Sequence, residues 1–141
     1  MAPSSTHDHW WIRPLDSGAV TLAQFKGKVV FLNFWSTSCG PCIAEMPSIE
    51  KLRDSLKDEP VVFLAVTPED EQAVSFFIVD HPLHIPVFRY DYRDVPQDLA
   101  PEGFPTTFIL DRAGRAVYRN EGAVNWDDGN ARNFIRSLEK Q

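Results

Sequence analysis

The run Val29-Val30-Phe31-Leu32-Asn33-Phe34-Trp35 is almost wholly apolar, rich in β-branched and aromatic side chains, and ends shortly before the only two cysteines, Cys39 and Cys42. A strand of that composition needs cover on both faces, as the central strands of α/β sheets have. Beyond the cysteines, Ile43, Met46, Ile49, Leu52 and Leu56 recur at three- and four-residue steps, which predicts a helix with one apolar face. Pro47 lies inside that helix and, lacking a donor, is expected to bend it. Any fold open to this chain must therefore turn a buried strand into a helix at the cysteine pair.

The rest of the sequence extends the same alternation. "PVVFLAVT" reads as a second buried strand, and Thr67 as helix N-cap, with Pro68 at the first helical position and acids behind it, predicts a helix to about Val79. A short strand follows around "IPVFRY", and "DYRDVPQDLAPEG" supports little more than a turn of helix. "PTTFILDRAGRAVYRNEG" reads as an antiparallel hairpin turning across Asp111–Gly114, and a final helix is expected to carry Trp126, Phe134, Ile135 and Leu138 on one face. Ahead of the first buried strand, "WWIRPLDSGAVTLAQFKGK" offers short extended pieces about Asp16-Ser17-Gly18, with Leu22 and Phe25 as anchors. The polar, aperiodic stretch 1–9 is expected to be a flexible tail, leaving 10–141 as one α/β domain.

Composition narrows the functional classes. A net charge of −6, with no cluster of Lys and Arg, gives no electrostatic footprint for nucleic acid. No apolar stretch is long enough to span a bilayer, and the first residues lack the basic-then-apolar order of a secretory signal. Two cysteines only two residues apart close almost no loop, so stapling is not their purpose. The four histidines, His7, His9, His81 and His84, do not follow the pair at zinc-site spacing, and no metal is expected.

A Cys-x-x-Cys pair at a strand-to-helix switch has a specific chemistry. The first sulfur meets the unpaired N–H groups and the positive end of the helix dipole, which favour its thiolate. Cys39 is thus the expected nucleophile, and Cys42, one turn inward, the group that resolves the mixed disulfide. Gly40 and Pro41 suit the intervening positions: proline loses no hydrogen bond early in a helix, and glycine lets a partner's backbone approach. No cofactor is required beyond the dithiol itself.

"NFWSTSCGPC" resembles the active-site stretch of thioredoxin-fold proteins, and the flanking "FKGKVVFLNFW" and "AEMPSIEKL" resemble the membrane-anchored or periplasmic thiol-disulfide oxidoreductases of the TlpA, ResA and CcmG type, within the redoxin superfamily. "GFPTTFILDRAGRAVYRNEG" is similar to the segment that holds that family's cis-proline and following hairpin. The resemblance implies a thioredoxin-like α/β fold, a central mixed sheet flanked by helices, with an N-terminal β extension. It implies that Pro105 follows a cis bond opposite Cys39, and that an extended substrate pairs with the backbone of Phe104. Trp35, Ser38, Gly40 and Pro41 would complete the substrate surface. Glu45, three residues past Cys42, matches a glutamate that lies near the cysteines in ResA-like members; about one helical turn from Cys42, it could tune that thiol and move its proton, with a dipole-stabilised or solvated helix acid as the alternative.

Two positions depart from the pattern. Asn33 stands where thioredoxin has a buried aspartate and cannot titrate, and Ser38 replaces a tryptophan frequent before the first cysteine. The Gly-Pro dipeptide is that of thioredoxin, a reductant at roughly −270 mV against about −120 mV for the oxidant DsbA. The resemblance thus implies a monomeric, extracytoplasmic reductant of protein disulfides, re-reduced by a membrane thiol-disulfide donor, with cytochrome c maturation one family use. A thiol peroxidase and a non-enzymatic redox-sensing module are the competing expectations.

Overall fold

In the computed structural model, which describes residues 7–141, one seven-stranded sheet runs through the molecule. The strands are β1 (Trp11–Pro14), β2 (Val20–Thr21), β3 (Val29–Phe34), β4 (Val61–Thr67), β5 (Val87–Arg89), β6 (Thr106–Leu110) and β7 (Ala116–Glu121), in the order β2-β1-β5-β4-β3-β6-β7. The helices are α1 (Gly40–Ser55), α2 (Glu71–Asp80) and α3 (Asn130–Glu139). β3 pairs in parallel with β4 and antiparallel with β6, so the sheet is mixed, as expected, and all six β3 residues are buried. The N-terminal β extension is present: β1 and β2 form a hairpin, and β1 also pairs with β5.

Alternation along the strands divides the core. Val29, Phe31, Phe63, Ala65 and Ile109 point to one face, where they meet Ile49 and Leu52 of α1 and Leu56 at its C-cap, Val74 of α2, and Ile135 and Leu138 of α3. Val30, Leu32, Phe34, Leu64, Val66 and Phe108 point to the other. Among the described residues no α-helix covers that second face; Trp10, Leu22 and Leu99 pack on it from the N-terminal segment and from the short 3-10 turns at Leu22–Phe25 and Gln97–Leu99, beside Ile12 of β1.

Three sequence expectations are corrected. The tail expected over residues 1–9 does not include His7 and Asp8: both are buried, His7 reaching Asp98 and the carbonyl of Gly114, and Asp8 pairing with Lys26 at 2.7 Å. Residues 1–6 lie outside the described residues. Partners so distant in sequence leave no local periodicity to read. The second helix starts at Glu71 with Asp70, not Thr67, as N-cap, the Asp70 carboxylate accepting from Ala73 N–H at 2.8 Å. Thr67 instead ends β4, fully buried. Trp126 is buried but precedes α3, whose N-cap Gly129 has φ +94°, a left-handed conformation that breaks the helical phase assumed from the sequence.

Helix α1 passes through Pro47 without ending, and its buried face is the main cover of the β3–β4 pair. Truncating Ile49, which is fully buried, to alanine is expected to lower unfolding free energy by about 2–5 kcal/mol. Phe76→Ala, on a side chain 78% exposed, should stay within about 0.5 kcal/mol; denaturant titration of both variants checks the contrast.

Candidate active site

The end of β3 fixes where the cysteines begin. Phe34 is held between Val66 and Thr106, and Trp35 N–H donates to the Val66 carbonyl at 3.0 Å. Ser36 C=O then accepts from Cys39 N–H at 3.2 Å, closing a turn that sets Cys39 at the N-cap of α1 in extended conformation. Gly40 and Pro41 are the first two helical residues, where a missing N–H leaves no carbonyl unpaired. A Cβ added at Gly40 would meet nothing within 4 Å, so the fold itself leaves that surface open.

Cys39 and Cys42 form a disulfide with Cα atoms 5.3 Å apart, and Cys42 N–H donates to Cys39 Sγ at 3.2 Å. Cys42 is 1% exposed, whereas Cys39 is only partly buried beside exposed Ser38, Gly40 and Pro41. One sulfur can be reached from solvent and the other cannot. Reduced Cys39 would sit against the free N–H groups of the helix start, the environment that favours a thiolate.

Glu45 lies one turn beyond Cys42 and is 3% exposed, so it is neither a solvated acid nor a first-turn dipole acid. Its Oε2 accepts from the Trp126 indole at 2.9 Å and from Val124 N–H at 3.0 Å, and its Oε1 from the Asn33 amide at 3.3 Å. Loss of hydration raises its pKa above the ordinary carboxyl value, and these hydrogen bonds oppose the rise only in part. Asn33 also donates to Thr107 Oγ1 at 2.9 Å, which links β3 and β6 to the carboxylate. Ser48 extends the tie by accepting from Trp126 N–H at 3.1 Å.

Across the sheet end, the Phe104–Pro105 peptide is cis. Because Thr106 pairs with Phe34, Pro105 leaves the sheet beside the turn that carries Cys39. Pro105 is buried and its carbonyl accepts from Gly122 N–H at 2.8 Å, while Phe104 is 38% exposed. Trp35 is only 1% exposed and packs on Phe77; it floors a groove of about 190 Å³ lined also by Ile43, Met46, Pro47 and Leu83. Trp35 and Cys42 belong to the buried cluster against which Cys39 packs. Among the described residues, no three His, Cys, Asp or Glu side chains are grouped to hold a metal ion.

Two contacts around the candidate site escape sequence reasoning. Trp126 has the signature of a helix-core aromatic, but its indole N–H serves Glu45. Glu69 has the signature of a first-turn helix acid, but its carboxylate reaches back to Thr37, two residues before Cys39. Neither pairing has a local signal, since the partners lie 81 and 32 positions apart.

The comparisons with known proteins agree with this geometry. Thiol-disulfide oxidoreductase ResA of Bacillus thuringiensis subsp. konkukian is 32% identical over 112 residues, covering 79% of this chain and 65% of the relative. The chain thus spans about two-thirds of the length of such relatives. Among solved structures, MTB dsbF superposes with a TM-score of 0.81 at 19% identity, covering 96% of this chain and 99% of that one. A secreted Mycobacterium tuberculosis disulfide oxidoreductase gives 0.75 at 19% identity, with coverage of 96% and 100%. These two likenesses show a thioredoxin-like α/β fold. The redoxin family model matches residues 3–135, which include the whole sheet, the cysteine turn and the cis-proline, and the chain belongs to the redoxin family.

Proposed function

We propose that this protein is a thiol-disulfide oxidoreductase that reduces disulfides in partner proteins. The observation that carries the reading is the Cys39–Cys42 disulfide at the start of α1, with one sulfur accessible and the other buried behind it. The name of its ResA relative points the same way.

In the cycle, the Cys39 thiolate attacks one sulfur of a substrate disulfide, forms a mixed disulfide and expels the other sulfur as a thiolate, which takes up a proton. Cys42 then loses its proton and attacks Cys39 Sγ; the mixed disulfide breaks and the second substrate thiol leaves. Two electrons pass to the substrate, and the protein dithiol becomes a disulfide. An external dithiol, which we assign to a membrane thiol-disulfide donor outside the cytoplasm, returns it to the reduced state. The protein acts as a monomer, with no bound cofactor, and apocytochrome c is one substrate class that this reading would admit.

Phe104 and Pro105 supply the edge on which an extended substrate segment pairs, with Ser38, Gly40 and Pro41 as the opposite wall and Trp35 beneath. Glu45 is the proton acceptor for buried Cys42: it follows by one helical turn, and its raised pKa makes it a better base than an ordinary carboxylate. The buried resolving sulfur so close to Cys39 favours dithiol exchange over peroxide reduction.

Cys42→Ala is expected to accumulate mixed disulfides through Cys39, and Cys39→Ala to abolish exchange, as read by insulin reduction and mass spectrometry. Full reductase activity in both single variants, or rapid hydroperoxide consumption with no disulfide turnover, would sink the reading.

Glu45→Gln should slow resolution of a mixed disulfide on Cys39 by about 10²-fold at neutral pH and remove the Glu45 inflection from its pH profile. The same variant tests the burial. Because the folded-state pKa is raised, Glu45 contributes stability that is fully present below the unfolded carboxyl value and lost as pH rises through the folded one. The stability of Glu45→Gln relative to the parent should therefore increase with pH across that window, measured by denaturant unfolding.

A further inference from the structure

The turn that delivers Cys39 is short, polar and partly exposed, yet one carboxylate outside it takes both donors of Thr37. Glu69 Oε1 accepts from Thr37 N–H at 2.8 Å and from Thr67 Oγ1–H at 2.8 Å, and its Oε2 accepts from Thr37 Oγ1–H at 2.5 Å. Thr67 is the last residue of β4 and is fully buried, so the anchor is rigid. Thr37 is a central residue of the turn closed by Cys39 N–H on Ser36 C=O. The carboxylate thus bolts the Cys39 turn to the end of β4, adjacent to β3. Helix capping does not explain Glu69, because Asp70 caps α2.

We propose that Glu69 is a positioning residue for the attacking sulfur: by fixing Thr37 it holds Cys39 Sγ on the N–H groups at the start of α1, and so sets how readily that thiol ionises. The inference rests on the oxidoreductase reading but concerns a residue that touches neither sulfur. If the turn loosens, the sulfur spends less time on Cys42 N–H, which it meets at 3.2 Å, and the thiolate loses stabilisation.

Charge and tether can be separated. A glutamine at 69 removes the charge but keeps the bolt: its oxygen can accept from Thr37 N–H and Thr67 O–H, and its amide can donate to Thr37 Oγ1. An alanine removes both. The other charged groups that share the Glu69 cavity, Arg13, Asp70, Arg89, Asp91, Arg93 and Asp94, are unchanged in either variant, so the difference between the two reports the tether.

The experiment is the pH dependence of iodoacetamide alkylation at Cys39 in the fully reduced protein, located by mass spectrometry, for the parent, Glu69→Gln, Glu69→Ala and Thr37→Val. Relative to Glu69→Gln, Glu69→Ala is expected to raise the alkylation midpoint by up to about one pH unit and to slow the reaction roughly 3–10-fold below it. Thr37→Val, which keeps the charge and loses one bond, should move the parent's midpoint in the same direction by less, and it serves where the alanine variant does not fold. Superimposable Glu69→Gln and Glu69→Ala curves, or an unmoved Thr37→Val curve, overturn the positioning role. A parent Cys39 that ionises like a free cysteine, near about 8.5, would instead overturn the oxidoreductase reading.

Discussion

The six residues Val29–Phe34 are hydrogen-bonded along both edges and covered on both faces, which leaves the chain emerging from Phe34 little freedom of direction. Shifting β3 by one residue against β4 or β6 would exchange its two buried sets, moving Phe31 to the face of Phe34 and breaking both halves of the core at once. That penalty fixes the register, and the register fixes the site. Phe34 must end beside Val66 and Thr106, so the cysteine turn, the end of β4 and the cis Phe104–Pro105 peptide converge without any of them being stable alone.

Within this frame the buried Glu45 is the expensive element. A carboxylate at 3% exposure loses its hydration, and it is tolerated here because an indole, a backbone N–H and an amide all donate to it. The same donors tie α1 to β3 and to the segment before α3, so the group proposed as proton acceptor also joins three parts of the chain. An apolar residue of similar size would pack more cheaply but leave the Trp126 indole and Val124 N–H unpaired. Retaining a costly titratable group there fits a proton-transfer role better than a purely structural one.

Much of this was legible in the sequence because it is local. The β3 run, the apolar face of α1 and the hairpin at Asp111–Gly114 are written as periodicity and turn chemistry within a dozen or so residues, and all three form where expected. The cysteine pair was legible for the same reason, since the strand before it and the helix after it are enough to place it at the start of α1. His7, Trp126 and Glu69 were misread because side-chain hydrogen bonds to distant residues decide their places, and these leave no periodic trace. Thr67 was misread by competition: Thr67-Pro68 is a good helix start, but Asp70 is one too, and extending β4 to Thr67 lets its hydroxyl bind Glu69.

Two carboxylates flank the dithiol, Glu69 through Thr37 before Cys39 and Glu45 one turn after Cys42, while the helix start works in the opposite sense. The dipole and free N–H groups stabilise a thiolate; nearby negative charge withholds stabilisation from it. A reduced form made very stable gives an oxidant, which is how DsbA reaches its high potential. In the reductant proposed above, two carboxylates on either side of the dithiol would work against that effect. Both acids are held by several hydrogen bonds, which fix where each carboxylate stands relative to the cysteine turn and the start of α1.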